Sequence, residues 1–299
     1  MPNEATSDEA ALPPAPFVVG VARSGTTLLR LMLDAHPDLS IPPETHFLLK
    51  LSQYSANVDP VAEGLDRIIT SHFAFVDMGI SREELLALWN DLPERSLTEA
   101  LRALYRHYAA QRGKSRWGDK TPVYTSLVGW LLSTFPEARI IHLVRDGRGV
   151  AASRRNLRFG PGPSIRAQAL DWSRKIRVAR AQGHGHPRYV EVRYEELVRE
   201  PESVLEQLAR VLRLEYDPRM LQYHQSTGHR LAEFRDWVDE TGTVMSEATY
   251  RRDIHRMAAR PPAPERIDHW REVLTAGEIA EFEAVAGDLL RELGYATTQ

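Results

Sequence analysis

VARSGTTLLR, residues 21–30, lies directly behind the apolar run FVVG of residues 17–20 and opens a run of leucines at helical spacing. A short apolar run that ends in glycine predicts a buried parallel strand, and the leucine spacing predicts a helix that ends before Pro37. Between strand and helix, residues 20–27 read Gly-x-x-x-x-Gly-Thr-Thr. In such a loop, backbone N–H groups and the positive end of the helix dipole bind phosphate. The stretch therefore predicts an α/β fold with a phosphate site.

The loop lacks the lysine of nucleotide triphosphatases. Thr26 stands in its place, and Arg23 is the nearest cation. In triphosphatases that lysine reaches the β and γ phosphates, and the next hydroxyl binds magnesium. The backbone at Gly25 and the hydroxyls of Ser24, Thr26 and Thr27 instead suit a single 5′-phosphate. The alternative is a glycine turn that only joins strand to helix.

Composition excludes several classes of protein. The chain has 299 residues, a formal net charge of −3 and no cysteine. Disulfides, zinc–thiolate sites and thiol nucleophiles are therefore excluded, and the charge argues against nucleic acid or an anionic membrane as the main partner. Residues 1–16 are acidic and rich in Ala and Pro, without the pattern of a signal peptide. We expect a cytoplasmic protein with a disordered tail over 1–16 and a single domain over 17–299.

Further strands and helices alternate along the chain. Apolar runs predict strands at Arg139–Val144 and Arg188–Val192, and a helix over Pro201–Leu212. Helical spacing also dominates from about residue 44 to 113, and Thr121-Pro122 has the pattern of a helix start. This alternation predicts a parallel β-sheet with helices on both faces.

A second basic motif follows the predicted strand 139–144. Arg145 leaves the carboxyl end of that strand, where ligands of open α/β sheets bind, and Ser153 follows about two helical turns later. A guanidinium and a hydroxyl at this place suit a second phosphate. The alternative is a solvated, arginine-rich helix face.

Together the two motifs resemble those of the PAPS-dependent sulfotransferases, where PAPS is 3′-phosphoadenosine 5′-phosphosulfate, and especially the tyrosylprotein branch and its bacterial relatives. The resemblance covers residues 17 to about 200, and the C-terminal third matches only loosely. The matching stretches are Arg23-Ser24-Gly25-Thr26-Thr27-Leu28, Leu33-Asp34-Ala35-His36-Pro37, Glu44-Thr45, Asp119-Lys120-Thr121-Pro122, Val144-Arg145-Asp146-Gly147-Arg148 and Tyr194-Glu195-Glu196-Leu197-Val198. The resemblance implies a P-loop-type sheet, PAPS as co-substrate, PAP (3′-phosphoadenosine 5′-phosphate) as product, and no metal.

The resemblance also implies roles for single residues. The first loop would bind the 5′-phosphosulfate, and Arg145 with Ser153 the 3′-phosphate. Glu44 stands where the branch has its catalytic base, and we expect its burial to raise its pKa toward a useful range. His46 is the alternative base, because its ordinary pKa is near neutral.

Cations of the matching stretches would stabilise the transferring sulfuryl group. Lys120 and Arg23 are the candidates, although Lys120 beside Asp119 is equally the pattern of a surface pair at a helix start. Tyr194 would contact the nucleotide, with a core tyrosine as the alternative. Further basic residues are predicted to hold the 3′-phosphate or close over PAPS. These are Arg155 or Arg158 for the former and Arg251, Arg252 and Arg266 for the latter.

The chain departs from the tyrosylprotein branch in ways that concern the acceptor. Pro43 precedes Glu44 where the branch has paired glutamates, the cysteines of the branch are missing, and we expect no membrane anchor. We therefore expect a small-molecule hydroxyl acceptor, in a pocket shaped by the helical segment of about 50–112 and the loop Leu157–Ser164. A P-loop kinase-like phosphotransferase and a non-catalytic nucleotide-binding protein are the alternative functions. The oligomeric state, monomer or homodimer, stays open.

Overall fold

A parallel sheet forms the centre of the protein, in a computed structural model that describes residues 12–155, 157, 160–239 and 241–298. Its strands are in the order β4-β1-β5-β6, and two further pairs, β2-β3 and β7-β8, lie outside it. The strands are β1 (Ala15–Gly20), β2 (Leu39–Ser40), β3 (Arg116–Trp117), β4 (Asp119–Lys120), β5 (Ala138–Val144), β6 (Tyr189–Arg193), β7 (Trp237–Val238) and β8 (Val244–Ser246).

Helices follow the strands and fill the long connections between them. They are α1 (Thr26–Asp34), α2 (Leu48–Leu51), α3 (Leu65–Thr70), α4 (Arg82–Asn90), α5 (Leu97–Ala110), α6 (Val128–Thr134), α7 (Gly147–Arg154), α8 (Ile165–Gly183), α9 (Tyr194–Arg199), α10 (Pro201–Leu212), α11 (Thr227–Leu231), α12 (Ala248–His255), α13 (Trp270–Val273) and α14 (Ala276–Glu292). Short 3₁₀ turns add Phe75–Met78, Pro122–Ser126 and Arg256–Ala259, among others.

Apolar residues that alternate along β1 pack on opposite faces of the sheet. Phe17 and Val19 join one buried cluster with side chains from residues 47–135. Val18 and Leu143 join another, which α1 and α10 cover. A third cluster connects the carboxyl ends of β1 and β5 to α7, α8 and α14. The predicted parallel sheet with helices on both faces is confirmed.

The structure corrects two boundaries and adds a strand. β1 begins at Ala15, so Ala15 and Pro16 belong to the sheet and not to the predicted tail. Residues 119–120, expected at a helix start, form the buried edge strand β4, which pairs with Phe17 and Val18. Pro122 then begins a 3₁₀ turn without a side-chain cap from Thr121, and α6 starts only at Val128.

Within the described residues, no helix is both long and apolar enough to cross a bilayer.

Candidate active site

All four strands of the central sheet bring a predicted site residue to the same edge. The carboxyl end of β1 leads into the loop with Arg23, and β4 ends at Lys120. Arg145 follows β5, and Tyr194 follows β6. Because parallel strands share their carboxyl edge, residues far apart in the sequence meet there.

The loop between β1 and α1 is a tight turn that leads into the uncapped N-terminus of α1. Ser24 N donates to Val21 O over 3.0 Å. Gly25 has a φ of 96°, and a Cβ there would lie 2.5 Å from the Tyr194 ring, so only glycine fits. Among the described residues, no side chain caps the N-terminus of α1, and none forms a hydrogen bond with the buried Ser24 Oγ. The loop therefore offers unpaired donors to an anion.

Arg23 connects the loop to two other parts of the chain. Its Nε donates to Ser153 Oγ over 3.2 Å, and its Nη1 donates to Ile254 O over 3.1 Å. Burial and the neighbouring charge of Arg145 lower the pKa of Arg23. Its φ of 79° is strained for an arginine. Such a cation, held beside a second one, is stabilised by a bound anion.

Arg145 joins the second motif to the first. Its Nη1 donates to Arg23 O over 3.0 Å, and its guanidinium lies 4.3 Å from the centre of the Tyr194 ring. The two basic motifs thus form one continuous site, with Tyr194 packed between Arg145 and Gly25.

Glu44 and Lys120 form a close ion pair beside the loop. The distance from Lys120 Nζ to Glu44 Oε1 is 2.5 Å, and the same Nζ lies 3.3 Å from Thr27 Oγ1. His46 Nε2 lies 3.0 Å from the other Glu44 oxygen, Oε2. Lys120 is buried, which rules out the alternative of a surface pair.

Burial and the neighbouring charges shift the pKa of Glu44 in opposite directions. Burial opposes ionisation of Glu44, but the Lys120 ammonium and the hydrogen bond to His46 outweigh it and hold the Glu44 pKa well below its usual range. The expectation of a raised pKa for Glu44 is therefore wrong, because the partner's charge exceeds the effect of burial. Burial lowers the pKa of Lys120, while Glu44 opposes that shift. Glu44 is a carboxylate at neutral pH.

A buried polar network fixes the backbone beside Glu44 to β4. Thr45 Oγ1 donates to Asp119 Oδ2 over 2.7 Å, and Thr45 N donates to Thr121 Oγ1 over 3.0 Å. The Tyr105 hydroxyl also donates to Asp119 Oδ2, over 2.9 Å. Burial raises the pKa of Asp119, although these hydrogen bonds oppose the shift. The network holds Glu44 and Lys120 in a fixed relative position.

Glu44, the phosphate loop and Arg145 line one cleft of about 950 Å³, whereas Ser24 and Lys120 are not among its described lining residues. The described lining includes most of the predicted site, namely Arg23, Gly25, Thr26, Thr27, Glu44, His46, Arg145, Ser153, Arg155 and Tyr194. A cleft of this volume accommodates a nucleotide together with a small second molecule.

Comparison with known proteins identifies the family. Residues 14–218 of the chain match the family described as "Sulfotransferase family". The chain belongs to the sulfotransferase family. The predicted family and the enzyme class of PAPS-dependent sulfotransferases are thereby confirmed.

Individual relatives agree with this sulfotransferase assignment. Nodulation protein NoeE of Sinorhizobium fredii is 30% identical over 96% of this chain and 67% of the relative. Protein-tyrosine sulfotransferase of Drosophila melanogaster is 27% identical over 71% of this chain, and the match spans only 40% of the fly protein. A sulfotransferase domain from the curacin biosynthetic pathway covers 96% of this chain and 99% of its own, with a TM-score of 0.61 and 24% identity. The last likeness supports the fold.

Some predicted site residues of this sulfotransferase have other partners. Arg155 lines the cleft, but its guanidinium bonds to Glu278 on α14. Arg251 also lines the cleft, but its guanidinium forms a buried ion pair with Asp77 that anchors α12. Arg266 lines the cleft. Arg158 lies outside the described residues.

Much of the cleft wall comes from the C-terminal third, where the sequence predicted only arginines that close over PAPS. The segment of about 50–112, expected to shape the acceptor pocket, contributes Phe73 alone among the described lining residues. Residues 234–273 contribute a large share, including Phe234, Trp237, His255 and Trp270. The scattered aromatic residues of this segment were the available signal, but nothing in their spacing indicated a shared site.

Aromatic rings surround the side of the cleft next to Glu44. The His46 ring lies 5.9 Å from Phe73 and 5.7 Å from Trp237, and stacks parallel to His72 at 6.3 Å. Burial, with the neighbouring His46 and Lys50, lowers the pKa of His72 to about 4. Phe73 and Trp237 give this aromatic wall a largely apolar surface beside the carboxylate.

Proposed function

We propose that this sulfotransferase moves the sulfuryl group of PAPS to a hydroxyl of a small acceptor molecule, with Glu44 as general base. The single observation that carries the proposal is the placement of the Glu44 carboxylate. It faces the same cleft as the phosphate loop and lies 2.5 Å from the buried Lys120 ammonium. A proton acceptor and a cation thus stand together where an anion binds.

The residues of the loop suit the donor. The uncapped end of α1 and the unpaired Ser24 Oγ offer hydrogen-bond donors for a 5′-phosphosulfate. Arg145 and Ser153, which both form hydrogen bonds with Arg23, are proposed to bind the 3′-phosphate. Arg155 is a further candidate, because its half-exposed side chain could exchange Glu278 for a phosphate.

The proposed transfer is an in-line displacement at sulfur. The acceptor oxygen forms a bond to sulfur, and the bond from sulfur to the 5′-phosphate oxygen breaks. The electron pair of that bond leaves with PAP, and the hydroxyl proton passes to Glu44. Lys120 and Arg23 stabilise the negative charge that develops on the leaving oxygen and the sulfuryl group, while the fixed site keeps the reacting atoms aligned.

The low pKa of Glu44 is compatible with this role. The carboxylate is already in the proton-accepting form at neutral pH. A bound anionic donor would share the charge of Lys120, and this would raise the Glu44 pKa toward that of a stronger base. His46, 3.0 Å from Glu44 Oε2, is the alternative base.

The acceptor is proposed to lie against the aromatic wall of His46, Phe73 and Trp237. These rings flank the carboxylate and line the cleft. A small molecule whose hydroxyl is carried on a ring or an apolar body would bury that surface against them.

Calorimetric titration with PAP, AMP and ATP tests the donor site. We expect PAP to bind more tightly than AMP, since only PAP has the 3′-phosphate, and magnesium to leave its affinity unchanged. A preference for ATP with magnesium would contradict the proposal and favour a kinase-like phosphotransferase.

A further inference from the structure

His255 lies in the reaction cleft without an assigned role. It is the last residue of α12, and its ring packs 5.6 Å from the centre of the Phe234 ring. It lines the cleft together with Glu44 and Arg23. Among the described residues, none forms a hydrogen bond with its imidazole, and the residue is only partly buried. The family match covers residues 14–218 and does not include this histidine.

Contacts on the preceding turn of α12 fix this histidine in place. Ile254 O accepts a hydrogen bond of 3.1 Å from Arg23 Nη1, which ties the helix to the phosphate loop. Arg251 Nη1 donates to Asp77 Oδ1 over 3.0 Å, and both side chains of this ion pair are buried. Because α12 is held on both sides, the backbone that carries His255 is fixed in the cleft wall, and the ring contact with Phe234 orients the imidazole.

Two of the charged groups that act on His255, Lys120 on β4 and Arg23 in the phosphate loop, are the ones proposed to stabilise the transferring sulfuryl group. Arg251 on its own helix and the Glu44 carboxylate also act on it. Burial first, and then Lys120 and Arg23, lower the pKa of His255 to about 3, so the imidazole is neutral at pH 7. A neutral imidazole keeps one N–H donor without adding a further positive charge to a crowded cationic site.

We propose that His255 is a further catalytic residue, whose imidazole N–H donates a hydrogen bond to the sulfuryl group of bound PAPS. This inference rests on the proposed function. The sulfuryl oxygens are hydrogen-bond acceptors only, and they must lie among the cations that surround His255. A fixed donor at this place stabilises the charge of the transferring group without taking up or losing a proton.

The test compares the binding of PAP, which lacks the sulfuryl group, with the rate of sulfuryl transfer from PAPS. PAP lacks that group, so His255→Ala should leave PAP affinity within about 2-fold of wild type, while loss of one donor to a transition-state oxyanion slows transfer about 10²-fold. His255→Asn, whose amide N–H can still donate, should recover part of the rate. Thr249→Ala, an exposed position on the same helix, is the matched control and should change neither quantity.

Transfer is measured with sulfur-labelled PAPS and naphthol as the probe acceptor, and label released to water is counted as well. Wild-type transfer rates in His255→Ala would overturn the inference. Equal losses of PAP affinity and transfer would also overturn it, since they would indicate a purely structural role. A wild type that binds PAP but neither transfers nor releases label would instead refute the proposed function, and this inference with it.

Discussion

The Lys120 ammonium lies 2.5 Å from the Glu44 carboxylate, although 76 residues separate them in the chain. Lys120 is fixed by β4, and Glu44 by the hydrogen bonds of the neighbouring Thr45 to Asp119 and Thr121. The pair therefore connects the edge of the sheet to the loop before α2. Its side chains are 3% and 23% exposed, so each charge depends on the other.

Replacing Lys120 by Met should lower both stability and transfer. The change leaves Glu44 as a poorly hydrated charge, and we expect the free energy of unfolding in urea to fall by about 3 kcal/mol. The double variant with Glu44→Gln should lose less than the sum of the two single losses, because the stranded charge is then removed.

An exposed ion pair provides the control for this comparison of single and double variants. Arg291 and Asp288 are 50% and 92% exposed, so Arg291→Met should cost less than about 1 kcal/mol. Strictly additive losses for Lys120→Met and Glu44→Gln would show that the buried pair does not couple.

Gly25→Ala should disable the phosphate loop. The φ of 96° strains any other residue, and the added Cβ would lie 2.5 Å from the Tyr194 ring. Tyr194 must then move, and with it Arg145, which stacks on that ring. We expect PAP affinity, measured by calorimetry, to fall by about 10-fold or more, since a loss of about 1.4 kcal/mol already has that effect.

Gly64→Ala is a control that introduces backbone strain without a steric clash. Gly64 has a φ of 67°, and nothing lies within 4 Å of its potential Cβ. This control should lose some stability but keep PAP affinity. Unchanged PAP affinity in Gly25→Ala would contradict the assignment of this loop to the donor.

The pH dependence of stability should include a contribution from His72. Its pKa is lowered to about 4 in the folded protein by burial and by the charges of His46 and Lys50, and it returns to its ordinary value on unfolding. Unfolding between about pH 4 and 6.5 therefore takes up a proton, so stability falls as the pH falls through this window.

His72→Gln should make that pH dependence shallower by up to about one proton, as measured by urea unfolding at a series of pH values. His255, whose pKa is also lowered, should keep part of the slope in this variant. An unchanged slope would mean that His72 has the same pKa in the folded and unfolded chains.

The spacing of apolar residues predicted those helices and strands whose formation depends on neighbouring residues in the sequence. The helix Pro201–Leu212 has the predicted bounds. Gly25 and Tyr194 were both predicted as site residues from sequence motifs. Their mutual contact depends on the order of the strands in the sheet and could not be predicted from the sequence.

The remaining features depend on contacts between distant residues. β4 has only two residues, and the polar pair Asp119–Lys120 has no strand pattern of its own. Its burial follows from pairing with β1 and from the contacts of Glu44 and Thr45. The contribution of residues 234–273 likewise depends on the ion pair between Asp77 and Arg251, 174 residues apart.

Transfer of labelled sulfur from PAPS by the wild type and by Glu44→Gln tests the central claim most directly. We expect the wild type to place the label on a hydroxyl acceptor and to release PAP. Glu44→Gln should bind PAP with unchanged affinity but transfer the label about 10²-fold more slowly or worse, because it lacks the proton acceptor. Equal transfer rates for the two proteins would contradict the role of Glu44, and the absence of transfer by the wild type to any hydroxyl would contradict the proposed reaction.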